Sequence, residues 1–165
     1  MKQIYILRHA KSSWDNSELS DFDRPLSNRG KNDAKKLCSF IEKKGFIVDK
    51  VFCSSAKRAK ETLDLMMDGF WFDYINDLFY EEYLYYGNVG NIVDRLRELD
   101  EESKNILFIG HNPTLFHLIE ELTNERIKKL TTCNLAVITF ADAWKKLSKS
   151  KCKLKLLYRP KEIEI

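Results

Sequence analysis

The sequence lacks the cysteine patterns that build disulfide scaffolds or zinc sites. Its four cysteines occur singly, with no C-x-x-C pair and no histidine at zinc-finger spacing. Scattered cysteines are typical of proteins from a reducing compartment, where a free thiol serves as a small core residue. The pattern therefore predicts no metal site and no disulfide framework.

Long hydrophobic runs are also missing. The first apolar run ends at Leu7, which is too short for the core of a signal peptide. No other run approaches the roughly 20 apolar residues that a membrane-spanning helix needs. The expectation is therefore a cytoplasmic protein without a membrane segment.

Neither positive nor negative charge is in large excess either. The formal net charge is only +3, which is weak evidence for a polyanionic partner. Internal repeats, low-complexity blocks and Pro/Gly-rich linkers are absent, so we expect one domain spanning residues 1–165. With 44% hydrophobic and 32% charged residues, the composition is that of an ordinary globular protein.

What the sequence does contain is an alternation of strand and helix signals. "QIYIL", "DKVFCS" and "NILFIG" read as buried strands, and each is followed by a segment with helical spacing of apolar residues. "LAVITF" and "CKLKLLYRP" read as closing strands, the second half exposed because Lys153 and Lys155 alternate with Leu154 and Leu156. This order predicts a layered α/β fold with a mostly parallel sheet.

Capping residues mark where several helices begin or end. Ser27 is a candidate N-cap for the first helix, and Gly45 stands where that helix should end. Ser55 is the candidate cap of the second helix. "NIVDRLRELDEESK" predicts a third helix over 91–104. In the last helix, predicted over 112–130, Asn112 would cap and Pro113 would take the first helical position.

Cationic and imidazole side chains follow three of the predicted strands. Arg8 and His9 come directly after the first strand, Arg58 opens the helix after the second, and His111 follows the third. In open parallel sheets, ligands bind at the carboxyl ends of the strands. We therefore expect these four side chains to converge there.

Such a cluster would repel itself in an empty pocket, and a phosphoryl group would relieve the repulsion. Arginine presents a planar fork to phosphoryl oxygens. One imidazole can attack phosphorus, while the other donates to the oxygens as charge develops. The sequence thus indicates that His9 is a nucleophile and that Arg8 is its electrostatic partner.

Four motifs give the sequence a family resemblance. "LRHAKSSW", "SSAKRAKET" and "GHNP" resemble the histidine phosphatase superfamily, which has the phosphoglycerate mutase-like fold. "RHAKSSW" followed by "DFDRPLSNRG" resembles its SixA-type phosphohistidine phosphatase branch. The likeness extends from the N-terminus to about Leu122. It implies a three-layer α/β/α sandwich with a mostly parallel central sheet.

The resemblance also implies a mechanism. It suggests a covalent phosphohistidine on His9, a phosphate pocket of Arg8, Arg58 and His111, and a polar phosphate contact from Ser12. It implies neither a metal nor an organic cofactor. The substrate would be a phosphohistidine, carried by a protein such as a histidine-containing phosphotransfer domain.

Three residues near these motifs have less certain roles. Asp15 stands where related mutases usually have asparagine, and its charge would repel a phosphate, so we assign it no phosphate contact. "DFDRPLSNRG" is interpreted mainly as a turn and a helix start, with Pro25 setting the turn. Asp21 or Arg24 could instead line the mouth of the pocket.

The proton donor is the open part of the mechanism. Glu82 matches the SixA-like pattern E-x-L-Y and is the candidate, with Glu81 as its neighbour, although both could be solvated carboxylates. A phosphoester needs such a donor because it leaves as an alkoxide, whereas phosphohistidine leaves more easily. A small-molecule phosphomonoesterase of the same superfamily therefore remains the alternative.

Two further features are interpreted as structural. His117 lies inside the last helix and is predicted to have no part in the site. The C-terminal region carries a run of lysines from Lys145 to Lys161. Such a run could bind nucleic acid, but lysine also protects an exposed edge strand from unwanted pairing, and we prefer that interpretation.

Overall fold

The computed structural model describes residues 1–70 and 77–162, which form a central sheet with helices on both faces. The strands are β1 (Lys2–Arg8), β2 (Lys50–Ser54), β3 (Leu78–Glu81), β4 (Asn105–Gly110), β5 (Leu135–Phe140) and β6 (Lys153–Tyr158). The α-helices are α1 (Asn28–Lys44), α2 (Lys57–Met66), α3 (Tyr83–Tyr86), α4 (Val89–Arg97) and α5 (Thr114–Thr123).

The sheet is mostly parallel, as the sequence predicts. Its described strands run in the order β3-β2-β4-β1-β5-β6. Strands β3, β2, β4 and β1 pair in parallel, whereas β5 pairs antiparallel with both β1 and β6. The expected three-layer α/β/α arrangement with a mostly parallel sheet is therefore confirmed, with β1 and β4 at the centre of the sheet.

Strand β1 shows how the two faces of the sheet are filled. Ile4 and Ile6 point into the core under α4 and α5, which also holds Trp144. Tyr5 and Leu7 point into the core under α1 and α2. Because successive strand residues face opposite sides, a continuous apolar run is what a strand covered on both faces requires.

Helix α1 begins and ends where its sequence predicts. The Ser27 hydroxyl accepts a hydrogen bond from the Gly30 N–H at 3.1 Å. Gly45 closes the helix in the left-handed conformation, with φ of 66°. These contacts satisfy groups that every helix end leaves unpaired.

The predicted caps of α2 and α5 are wrong. Ala56, not Ser55, precedes α2, and the hydroxyl of Ser54 accepts from the Ala56 N–H at 3.2 Å. Helix α5 starts only after Pro113, and the Asn112 amide donates to the Leu130 carbonyl at 2.7 Å instead of capping the helix. At α5 a contact with a distant carbonyl takes the side chain that a local cap would use. At α2 the neighbouring Ser54 hydroxyl, and not Ser55, accepts from the backbone before the helix.

Two helices are shorter than predicted, and one strand was not foreseen. Helix α4 ends at Arg97 instead of continuing to Lys104. Helix α5 ends at Thr123, because the left-handed backbone of the next residue, Asn124 (φ 57°), stops it before the predicted end at residue 130. Strand β3 lies in a segment that sequence analysis had read only for its carboxylates.

Strand β6 forms one edge of the described sheet, and its lysines lie on the exposed side. Lys153 and Lys155 are exposed, while Leu154 and Leu156 are half-buried. This is the alternation expected of an edge strand that lysine protects. Among the described helices, none is both long and apolar enough to cross a bilayer.

Candidate active site

The carboxyl ends of β1, β2 and β4 meet at one edge of the sheet. Arg8, the last residue of β1, is in register with Gly110, the last residue of β4. The His9 N–H donates to the Gly110 carbonyl at 3.0 Å. The register therefore sets His9 and His111 side by side, with 5.0 Å between their ring centres.

A cavity of about 220 Å³ opens at this edge. It is lined by the predicted residues Arg8, His9, Ser12, Arg58 and His111 and also by Lys11, Trp14, Arg24, Asn112 and Thr132. Four of these side chains are basic, and no acidic residue from the described parts of the chain lines the cavity. Its size and charge suit a small anion.

His9 is held with one ring nitrogen facing the backbone. Its Nδ1 lies 2.7 Å from the Ala10 carbonyl oxygen, so Nδ1 carries the proton and donates. Nε2 accepts a long hydrogen bond, 3.4 Å, from Nε of Arg58. The lone pair that can attack phosphorus therefore lies on Nε2, beside the Arg58 guanidinium.

The loop that carries His9 is tied to helix α2. The Ala10 N–H donates to the Thr62 hydroxyl at 3.0 Å, and that hydroxyl donates to the Arg58 carbonyl at 2.7 Å. Ala10 and Thr62 are both fully buried. This chain of contacts couples the position of the His9 ring to the helix that carries Arg58.

Asp21 orients the Arg58 guanidinium. Nη1 of Arg58 donates to the Asp21 carbonyl at 2.6 Å, and Nη2 donates to its carboxylate at 3.0 Å. The same carboxylate accepts from Arg24 at 2.9 Å and from the Tyr85 hydroxyl at 2.5 Å. The Tyr85 hydrogen bond and both arginines lower the pKa of Asp21 to about 2, which keeps it ionised.

Arg8 and His111 each keep a buried donor position without a partner. Nη1 of Arg8 donates to the Leu130 carbonyl at 3.1 Å, but its Nε has no partner among the described residues. Nε2 of His111 contacts the Ser54 hydroxyl at 2.7 Å, while its Nδ1 has none there. Since buried polar atoms are normally paired, these two atoms are ready for an anionic ligand.

Burial keeps both cavity histidines neutral. Desolvation and the nearby arginines lower the pKa of His9 to about 4, against a weaker opposing effect of the Ala10 carbonyl. Desolvation, His9 and Arg58 lower the pKa of His111 to about 3. A neutral His9 retains the lone pair that nucleophilic attack requires.

Arg24 is the main site residue that sequence analysis underrated. It is buried and lines the cavity, and its Nε donates to the Ser13 carbonyl at 3.1 Å. Its Nη2 donates to the Ser12 hydroxyl, so Ser12 is held at the cavity by a second guanidinium. An arginine followed by a turn proline and a helix cap was the available signal, but it does not reveal burial.

Several other candidates lie away from the cavity lining. Glu82 is exposed and stands just before α3, and Glu81 is the half-buried last residue of β3. Asp15 and His117 are also exposed. None of these four belongs to the cavity lining in the described part of the molecule.

The arrangement has the parts needed for phosphoryl transfer. The neutral His9 imidazole presents a lone pair on Nε2. Two arginines and a second imidazole line the same cavity and can donate hydrogen bonds to phosphoryl oxygens. Positioning and electrostatic stabilisation provide most of the catalysis in such reactions. The geometry thus agrees with the chemistry inferred from the sequence.

Comparison with known proteins gives this site a family. The model of the histidine phosphatase superfamily (branch 1) matches residues 4–77, which include His9 and Arg58. A chloroplast protein of Arabidopsis thaliana with no assigned function is 33% identical over 153 residues, covering 87% of this chain and 69% of that protein. The chain belongs to the histidine phosphatase superfamily.

Solved structures of similar fold include other phosphatases. The protein histidine phosphatase SixA, solved with tungstate, matches this superfamily member with a TM-score of 0.83 at 23% identity, over 98% of this chain and 99% of that one. The alpha-ribazole phosphatase of Shigella flexneri matches with a TM-score of 0.70 at 18% identity, over 96% of each chain. At these identities the likeness establishes the fold.

Proposed function

We propose that this protein is a cofactor-independent phosphatase that hydrolyses phosphohistidine carried by a protein, through a covalent intermediate on His9. Membership of the histidine phosphatase superfamily supports phosphatase activity. The observation that carries the proposal is the His9 ring, whose Nε2 lone pair lies in a cationic cavity while Nδ1 is held by Ala10.

The first step forms a bond between His9 Nε2 and phosphorus as the substrate's phosphorus–nitrogen bond breaks. Arg8, Arg58 and His111 bind the phosphoryl oxygens, and Ser12 adds a polar contact. A substrate ring that is protonated on its second nitrogen takes the bonding pair and leaves as neutral imidazole. In the second step water attacks phosphorus, the electron pair returns to Nε2, and phosphate is released with a proton from that water.

The lining of the cavity favours phosphohistidine over a phosphoester. An alkoxide leaving group needs a proton donor within hydrogen-bond reach. The described lining has no carboxylic acid, and the candidate Glu82 is exposed outside it. An imidazole that already carries a proton on its other nitrogen needs no such donor.

The alternative is a small-molecule phosphomonoesterase of the same superfamily. The similar fold of the Shigella flexneri enzyme, named as an alpha-ribazole phosphatase, favours this candidate. An ester substrate would require Glu82 or another donor to approach the leaving oxygen.

The partner we propose is a phosphohistidine-bearing protein, such as a histidine-containing phosphotransfer domain. SixA, the structural neighbour solved with tungstate, is named as a protein histidine phosphatase. Nucleic acid remains a remote alternative. Lys146 and Lys149 lie 3.8 Å and 3.9 Å from carboxylates of Asp142 and Glu121, so part of the basic charge is already neutralised.

The test is phosphate release, without added metal, from a phosphohistidine-bearing protein and from an aryl phosphate. His9→Ala should lose about a thousandfold or more of the activity, as expected when a nucleophile is removed. His117→Ala is the matched control, because His117 is exposed and lies outside the cavity. Near-normal turnover by His9→Ala would contradict the mechanism, and turnover of the aryl ester alone would favour the phosphomonoesterase.

A further inference from the structure

Trp14 is a large aromatic residue that stands exposed beside the phosphate cavity. Its side chain is 72% exposed, and it belongs to the cavity lining together with His9 and Arg58. An indole costs free energy when it is left in water, because it carries a large apolar surface. Packing in the core therefore does not explain why a tryptophan is found at this exposed position.

Arg24 holds the indole from one side. Its guanidinium carbon lies 3.2 Å from the centre of the Trp14 ring, which is a stacked cation–π contact. Arg24 is itself buried and bonded to the Ser12 hydroxyl, the Ser13 carbonyl and the Asp21 carboxylate. One face of the indole is thus fixed on a rigid support, and the exposed surface remains free.

The free surface lies where a leaving group would extend. A phosphoryl group bound by Arg8, Arg58 and His111 occupies only part of the cavity, so the group it departs from extends past the remaining lining, which includes Trp14, towards solvent. An imidazole there can stack on the indole, and a protonated imidazole gains a cation–π attraction as well. A leaving group without a ring gains neither.

We propose that Trp14 is a specificity-determining residue that stacks on the ring of the leaving group and so favours phosphohistidine over ring-less phosphoryl compounds. This inference rests on the proposed function, because it assumes that the phosphoryl group enters the cavity first. It adds the leaving-group ring as a second recognised feature of the substrate.

The experiment compares two substrates that break the same kind of bond. Phosphohistidine and phosphoramidate both lose a phosphorus–nitrogen bond, but only phosphohistidine has a ring. Trp14→Ala should lower kcat/KM for phosphohistidine by roughly three- to tenfold relative to phosphoramidate, as expected for one lost aromatic contact. Trp14→Phe should keep most of the preference, and thermal unfolding of both variants reports whether they fold.

The outcomes separate this inference from the proposed function. Equal losses on both substrates, or no loss on either, would overturn the role of Trp14. If the unmodified enzyme does not hydrolyse phosphohistidine at all, the proposed substrate is wrong. The role of Trp14 is then still tested with phenyl phosphate, which has a ring, and acetyl phosphate, which has none. Trp14→Ala should lower kcat/KM for phenyl phosphate more than for acetyl phosphate.

A separate observation concerns Ser54, the fully buried last residue of β2. Its hydroxyl oxygen accepts a hydrogen bond from the Ala56 N–H at 3.2 Å and lies 2.7 Å from Nε2 of His111. Among the described residues, Nε2 of His111 is the one acceptor that the hydroxyl proton of Ser54 reaches, so the hydroxyl donates to Nε2. A neutral imidazole that accepts at Nε2 must carry its proton on Nδ1.

The geometry points to Ser54 as a positioning residue that sets the tautomer of His111, so that Nδ1–H donates to a phosphoryl oxygen. The opposite tautomer would present a lone pair at Nδ1 and repel that oxygen. The buried Nδ1, which lacks a partner in the described structure, is the atom that this assignment would use.

Nitrogen NMR of the ¹⁵N-histidine-labelled enzyme tests the tautomer directly, and the three histidines of the chain make assignment simple. We expect His111 to be protonated at Nδ1 in the unmodified protein and to show mixed tautomers in Ser54→Ala. That variant should also lose about tenfold or more in kcat on a substrate that the unmodified enzyme turns over. A proton on Nε2 in the unmodified protein, or an unchanged tautomer in Ser54→Ala, would overturn this role whatever the substrate.

Discussion

Nδ1 of His9 lies 2.7 Å from the carbonyl oxygen of Ala10, and this contact leaves Nε2 as the ring nitrogen with a free lone pair. Ala10 is in turn held by Thr62 on the helix that carries Arg58. The His9 ring and the Arg58 guanidinium are therefore positioned by one chain of hydrogen bonds. Sequence spacing cannot reveal this link, because 52 positions separate Ala10 from Thr62.

The low pKa of His9 predicts how stability depends on pH. In the folded state its pKa is about 4, whereas an unfolded histidine titrates near 6.5. Below about pH 6.5 the unfolded chain therefore binds a proton that the folded chain does not, and the free energy of unfolding falls as the pH falls towards 4. Between pH 6.5 and 5 His9 should account for a loss of about 2 kcal/mol.

Urea unfolding at pH 7, 6 and 5 measures this dependence. His9→Asn should make the curve less steep, with the remaining slope due to His111, whose pKa is about 3. His117→Asn serves as the control at an exposed histidine. Proton NMR of the His9 ring should show no titration from pH 8 to 5. A midpoint near 6.5 would mean that the ring is solvated and that the structural assignment of its environment is wrong.

Asp21 is predicted to support phosphate binding through two arginines. Asp21→Ala removes the carboxylate that accepts from both Arg58 and Arg24, so both guanidinium groups lose a fixed partner. Because the Asp21 side chain is about half exposed, we expect only a five- to tenfold loss in kcat/KM, roughly one charge-assisted hydrogen bond after screening by solvent. Steady-state kinetics on any accepted substrate measures it.

Asp23→Ala is the matched control for this experiment. Asp23 lies in the same short helical turn, is exposed and bonds the Ser20 hydroxyl instead of an arginine. Equal losses in the two variants would show that the turn, and not the carboxylate bridge, is what matters. The loss in kcat/KM for Asp21→Asn should lie between those of Asp21→Ala and Asp23→Ala, because the amide oxygen can still accept one hydrogen bond.

The convergence of the site could be predicted from sequence, because it depends on sheet topology alone. The residues after three buried parallel strands must meet at one edge, and Arg8, His9, Arg58 and His111 do. The first residues of the helices were harder to predict from the sequence. Ser55 and Asn112 have the right chemistry for caps. The neighbouring Ser54 accepts from the Ala56 N–H in place of Ser55, and Asn112 donates to the Leu130 carbonyl, which only the folded chain brings near.

The burial of Arg24 could not be predicted for a similar reason. An arginine beside a turn proline usually extends into solvent. Here it lies between Ser12 and Asp21 and under the Trp14 ring, and these partners come from both sides of the turn. The pairing of Ser12 with Leu26, together with the hydrogen bond from the Ser13 N–H to the Pro25 carbonyl at 2.8 Å, brings the two segments close enough for those contacts.

Glu82→Gln is predicted to leave phosphohistidine turnover unchanged within about twofold, since exposed side chains outside the site rarely matter for transition-state binding. Glu82 is exposed and does not line the cavity. The measurement is kcat for phosphohistidine and for an aryl phosphate, with Glu81→Gln as the control. A large loss on the ester alone would identify Glu82 as a proton donor and strengthen the phosphomonoesterase alternative.

Gly30 is predicted to be a position where even a methyl group harms both stability and activity. A Cβ on Gly30 would collide with the carbonyl oxygen of Lys11, which belongs to the loop that lines the cavity with Ser12 and Trp14. The same carbonyl accepts from the Ser27 N–H at 2.9 Å, so it cannot retreat without breaking that contact. Overpacking of this kind costs about 1–3 kcal/mol.

Gly30→Ala should therefore lower the free energy of unfolding by that amount, although alanine favours a helix more than glycine does by about 1 kcal/mol. The displaced loop carries Ser12 and Trp14, so KM should rise more than kcat falls. Asn32→Ala, on the exposed side of the same helix, controls for helix propensity. If Gly30→Ala were as stable as Asn32→Ala and had an unchanged KM, the close packing of α1 against the loop would not be what shapes the cavity.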